Sequence, residues 1–212
     1  QLQQKQGLRP TPTRRAQTGF DGKGYAAKCL SKSVIAMGHS RCVIRSDNEP
    51  AMVQLVKSAV GQVRLSGIDI IDEGSVPYDP QTNGRAESAV KTLKGLMRVH
   101  QLSLERRLKS HIPVSHPLMA WLALHVAFLR FTQVVGSDGL TAWKRLRGRA
   151  FNQKFHLFGE VVRDKCRAQE HGIGGHGPRF GQGIWLGFDR HTTQSIIFDE
   201  DNGGIRYSRT IM

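Results

Sequence analysis

Apolar residues return at helical spacing between Gly24 and Gly38, where Ala26, Ala27, Leu30, Val34, Ile35 and Met37 define a helix that Gly38 would stop. Arg41-Cys-Val-Ile-Arg45 then reads as a short strand, with Cys42 and Ile44 inward, or Val43 inward if the strand is fully buried. Pro50 opens a second helix through Met52, Val53, Leu55, Val56 and Val60, and Gly61 is expected to close it. This helix–strand–helix rhythm predicts an α/β sheet with covered faces.

Val63, Leu65, Ile68, Ile70 and Ile71 are strand-like, and a loop with Pro77, Pro80 and Gly84 follows. The clearest helix runs from about residue 85 to residue 108. Ala89, Val90, Leu93, Leu96 and Met97 make its apolar side, while Glu87, Lys91, Lys94 and Arg98 recur along another. Ser115 is placed to cap a further helix, with Pro117 near its first turn. Leu118, Met119, Trp121, Leu122, Leu124, Val126, Phe128 and Leu129 make that helix apolar almost all round, so it should be buried or packed against a second copy. After Gly148 the texture changes. Phe155, Leu157, Phe158, Val161 and Val162 lead to a Gly-rich loop, Gly172 to Gly183. Ile184 to Leu186, Ser195 to Phe198 and Ile205 to Tyr207 then read as short strands, and Asp201-Asn-Gly-Gly204 is a hairpin signal. A small β-barrel or curled sheet is expected there.

Charge sharpens the picture. The chain of 212 residues carries 31 Lys and Arg against 17 Asp and Glu, a formal net charge of +14. The bases cluster: residues 1–50 hold nine against three acids, residues 85–109 seven against two, while residues 50–84 hold two against four. Segregation of this kind fits an electrostatic footprint for nucleic acid rather than a general aid to solubility. Residues 1–22, rich in Gln, Arg, Thr and Pro, read as a basic extended tail. Cys29, Cys42 and Cys166 are too few and too scattered for a disulfide framework or a paired zinc motif, which points to a reducing compartment. From the residues given, neither a leader peptide nor a bilayer-spanning apolar run is expected.

Two carboxylates carry the candidate chemistry. Asp47 follows a strand whose end can aim it into a crevice, where open α/β sheets place their ligands. Glu87 falls in the first turn of the long helix, where the helix dipole favours its charge and its oxygens can reach a cation. Both are candidate metal ligands for in-line phosphoryl transfer. The alternative is structural: Asp47 caps the Pro50 helix and Glu87 completes a favourable first turn or pairs with Lys91. Lys91, Lys94 and Arg98 stand one, two and three turns beyond Glu87, spaced to grip a phosphate strand, and Asn83-Gly84 offers a polar, permissive approach.

Ser46-Asp47-Asn48-Glu49-Pro50, followed by Pro80-Gln-Thr-Asn-Gly84 and Glu87-Ser88, resembles the integrase core of the RNase H-like superfamily, in particular that of Copia-type retrotransposon polyproteins. Gly139-Leu-Thr-Ala-Trp143, Gly183-Ile-Trp-Leu-Gly187 and Ser208-Arg-Thr-Ile211 resemble the family's later segments, so the resemblance runs from about Gly24 to the end. It implies that Asp47 and Glu87 are the second and third members of an acidic triad holding Mg²⁺ or Mn²⁺. It implies that Lys91 and Lys94 hold DNA ends, and that an intact relative trims and joins 3′-hydroxyls to target DNA in the nucleus as a homo-oligomer. The organisation expected is a tail over 1–22, a partial RNase H-like core over 23–112, a helical continuation and linker over 113–150, and a small all-β, SH3-like unit over 151–212. No counterpart of the family's leading aspartate strand or zinc element precedes the first helix. Asp21 is the one acid upstream of Asp47, and Asp69, Asp72 and Glu73, above all Glu73, are substitutes within reach. The chain alone is therefore expected to be a fragment or decayed copy with impaired integration chemistry. The alternative is a non-enzymatic DNA-binding or assembly remnant.

Overall fold

The computed structural model describes residues 24–74, 84–165 and 180–212, and the chain divides into two compact units, 1–83 and 84–212. The first unit runs α1 (Tyr25–Ala36), β1 (Arg41–Ser46), α2 (Pro50–Arg64) and β2 (Asp69–Gly74). β1 and β2 pair in parallel, from Arg41 opposite Asp69 to Ser46 opposite Gly74, with α2 as the connection that a parallel pair requires. Val34 of α1, Val56, Val60 and Val63 of α2 and Ile70 of β2 form its core, lined by Leu30, Cys42, Ile44 and Ile68. Burial of each such aliphatic side chain contributes roughly 1.5–3 kcal/mol. Ser31 Oγ lies 2.8 Å from Gln62 Oε1 and ties α1 to α2.

β1 resolves the inward-facing question by alternation: Cys42 and Ile44 are half-buried, and Val43 is exposed. Two expectations fail here. Gly61 does not end α2, which continues to Arg64 because Val63 completes the apolar stripe with Val56, Ala59 and Val60. A Cβ on Gly61 would meet only open space, so this glycine stands on the solvent side. Val63 and Leu65 accordingly belong to the helix and its end, and β2 starts only at Asp69. On the outer face of the sheet Arg41 pairs with Asp69 at 3.0 Å and Arg45 with Glu73 at 2.8 Å. Exposed pairs of this kind contribute at most about 1 kcal/mol each.

The second unit contains α3 (Gly84–Leu108), α4 (Leu118–Gln133), α5 (Ala142–Arg147), β3 (Val161–Lys165), β4 (Phe180–Phe188), β5 (Ser195–Asp199) and β6 (Gly204–Ser208). The strands form an antiparallel meander in the order β3-β4-β5-β6, with a register shift between Trp185 and Gly187. Of the small barrel or curled sheet expected, the described residues form no closed barrel. What links the ends is a bridge between Asp164 and Ile211, with Lys165 N–H donating to Thr210 O at 3.2 Å and Met212 N–H donating to Arg163 O at 2.8 Å.

Leu104 of α3, Met119, Leu122 and Val126 of α4, and Leu186 and Ile196 of the sheet meet in one cluster with Ile112 and Phe158. A second cluster is aromatic: Phe128, Trp143, Trp185 and Phe188, with Phe131, Phe151 and Phe155 against it. Ser115 does not cap α4. Pro117 occupies the N-cap without a side-chain bond, and His116 Nδ1 accepts from Leu118 N–H at 3.2 Å instead. α4 buries Met119, Leu122, His125, Val126, Phe128 and Thr132 but leaves Ala120, Leu124 and Ala127 exposed, so its all-round apolar character is only partly consumed within the chain.

Candidate nucleic-acid interface

α3 carries the cationic candidates. Leu93, Leu96 and Met97 turn one side of this 25-residue helix to the core, and the period of the sequence then puts Glu87, Lys91, Lys94 and Arg98 on an exposed stripe. Glu87 lies in the first turn as expected. None of these four side chains forms an ion pair with a described residue, so the structural alternative of a Glu87–Lys91 pair is not realised. Thr92, beside them, returns its hydroxyl to Ser88 O at 2.8 Å and is spent on the helix itself. Three unneutralised cations at 91, 94 and 98, on a helix that cannot move them apart, make a line of positive charge about 10 Å long at 1.5 Å of rise per residue. Asn83 lies outside the described residues.

Asp47 sits directly after β1, at the carboxyl end of the parallel pair, and is exposed. It does not cap α2: Glu49 holds that position without a side-chain bond, and Asp47 Oδ1 instead accepts from Asn48 N–H at 2.7 Å. Asn48 reaches across to the end of β2, where its Oδ1 would stand 2.5 Å from a Cβ on Gly74, so a larger residue there would push the Asn48 amide aside. The sequence carried no signal for this contact, because it joins residues 26 positions apart through an amide and a missing Cβ.

Two of the substitute carboxylates are engaged elsewhere. Glu73 is bound to Arg45 and Asp69 to Arg41. Asp21 lies outside the described residues. Asp47 belongs to the first unit and Glu87 to the second. Among the described residues no group of three or more His, Cys, Asp or Glu side chains is assembled to hold a metal ion. No helix among the described residues is long and apolar enough to cross a membrane.

No family model matches the chain, and no curated protein matches it. A solved structure with similarity is a cryo-EM structure of the simian T-cell lymphotropic virus intasome in complex with the PP2A regulatory subunit B56 gamma. The likeness has a TM-score of 0.31 and 14% identity, and it covers 88% of this chain and 65% of that one. Overlap that loose does not define a shared fold.

Proposed function

We propose that this chain is a DNA-binding segment of a Copia-type retrotransposon integrase. In the intact protein Asp47 and Glu87 would belong to a Mg²⁺- or Mn²⁺-dependent site that processes 3′ ends and transfers strands in the nucleus, with DNA and further copies of the protein as partners. The observation that carries the reading is the exposed stripe Lys91–Lys94–Arg98, unpaired among the described residues, running on from Glu87 along α3. Support comes also from the order of the sequence motifs around Asp47 and Glu87, and from the position of Asp47 at the carboxyl end of a parallel strand, where ligands of α/β sheets collect.

The stripe has a measurable consequence. Each phosphate neutralised by Lys or Arg steepens the fall of log K with log salt by about 0.9 on duplex DNA. Binding of the full chain to a blunt duplex, followed by anisotropy across a salt series, is expected to show a steep slope. Changing Lys91, Lys94 and Arg98 together to Gln should flatten it by about 2–3 and weaken binding on every sequence tested. An unchanged slope sinks the proposal. Asp47→Asn and Glu87→Gln should leave binding intact. Metal-dependent joining that both substitutions abolish would establish the enzymatic reading, whereas binding without joining at any metal concentration would establish the non-enzymatic one.

A further inference from the structure

His125 is a buried polar group that neither the sequence reading nor the DNA stripe uses. It lies on α4, 3% exposed, inside the second unit. Its ring stands 5.2 Å from Trp185 and 5.3 Å from Phe158, centroid to centroid, and 5.5 Å from His100 of α3. Its Nδ1 has no hydrogen-bond partner. That atom lies against Gly187, where a Cβ would approach to 3.3 Å. One imidazole therefore joins α3, α4, the segment before β3, and β4.

We propose that His125 is an acid-sensitive latch: neutral, it closes the joint between the helices and the β-sheet of the second unit, and protonated, it opens that joint while the first unit stays folded. The reason is what surrounds Nδ1. Nδ1 is buried against Gly187, and no hydrogen-bond partner stands there among the described residues to receive an added proton. From α3 the facing titratable group is His100, which repels a second positive charge. The segment before β3 offers His156 and Glu160. Glu160 is held by Leu157 N–H at 2.8 Å and lies 3.8 Å from His156 Nδ1, and Phe158 O is taken by Arg107. β4 brings only uncharged residues. Cation–π attraction to Phe158 is too small, about 0.5–2 kcal/mol, to offset burial of an unpaired cation.

Burial first, and His100 second, lower the His125 pKa to about 4. The native state thus binds fewer protons than the unfolded chain between pH 6.5 and about 4, so stability is complete above that window and is lost as pH falls through it. The loss would reach about 300-fold in the folding equilibrium, tenfold for each pKa unit of displacement. The first unit contains no buried titratable side chain among its described residues, and so has no such weakness.

Hydrogen exchange on the full chain, corrected for intrinsic rates, tests this at pH 7.5 and pH 5. Amides of α4 and β4 are expected to lose protection at pH 5 while those of α2 keep theirs. His125→Phe should abolish the acid-dependent component. Equal protection at both pH values, or the same acid loss in His125→Phe, overturns the proposal. If that variant does not fold at pH 7.5, the imidazole signal of His125 in the wild-type chain decides. Titration that appears only together with loss of Trp185 tertiary signals supports the latch, and an ordinary titration near 6.5 in a fully folded chain overturns it.

Discussion

At the scale of single residues the strongest arrangement is one that the sequence hid. Arg206 lies in a stretch that reads as a strand, Ile205-Arg-Tyr207, and nothing in that pattern says that its charge is turned inward. In the structure its Nη2 donates to Asp164 Oδ1 at 2.7 Å and to Gln182 O at 2.8 Å, and its Nη1 donates to Asp199 Oδ2 at 2.5 Å. One guanidinium thereby ties β3, β4, β5 and β6 together. Asp164 is 1% exposed. Its partner stands 42 positions away, so no local period could have announced the pair. Removing one member of a buried ion pair strands the other charge and costs about 3–5 kcal/mol. Arg206→Met should therefore lower the unfolding free energy by about that much, read as a fall in the urea midpoint of tryptophan fluorescence multiplied by the slope m. Arg206→Lys should recover little, because an ammonium cannot reproduce the two-pronged contact with Asp164. Asp47 and Glu87 are the opposite case. Their types and surroundings were legible because they sit beside sequence punctuation, Pro50 and Gly84, but their mutual placement is a property of the fold and was not.

The elements show why some boundaries were readable and others not. α3 was legible at both ends and, apart from Val90, which is exposed, on both faces, since a long helix with separate apolar and cationic stripes repeats its signal over seven turns. α2 was misread at its end because Gly61 looks like a stop. Glycine ends a helix when the chain needs a left-handed residue there, and the left-handed residue in this region is Gly67, past the end of α2. Gly61 merely sits on the exposed side of a continuing helix. It follows that Gly61→Ala should stabilise the first unit by about 0.5–1 kcal/mol, since helical Gly is costly relative to Ala and the added methyl meets nothing within 4 Å. Gly95→Ala in α3 has the same open surroundings and the same expected sign. Thermal melts of the two variants check this; a lower melting temperature in either would mean that the glycine serves a contact outside the described residues. α5 went unread as a helix, being only six residues long, and it is held by a cap: Thr141 Oγ1 accepts from Lys144 N–H at 3.1 Å.

The whole molecule is two cores of unequal strength. The first rests, among the described residues, on a cluster of four buried valines and Ile70 over a two-stranded sheet, an arrangement that is marginal without its helices. The second has two clusters, a four-stranded sheet and the Arg206 clamp. This division was not legible in the sequence, because the contacts that join α3 and α4 to the sheet, such as Leu104 with Phe158 and Leu186, link residues 54 and 82 positions apart. Burial scales stability, so the smaller core should yield at lower denaturant. The three tryptophans, Trp121, Trp143 and Trp185, all lie in the second unit, whereas helical circular dichroism also reports α1 and α2. The two probes should therefore not coincide: ellipticity begins to fall at lower urea than tryptophan fluorescence, and hydrogen exchange assigns the early loss to α1 and α2. Superimposable transitions would show that the two cores unfold as one. The same separation bears on the DNA stripe. Lys91, Lys94 and Arg98 belong to the second unit, so DNA added below the first transition should raise the fluorescence midpoint more than the ellipticity onset, through preferential binding to the folded second unit.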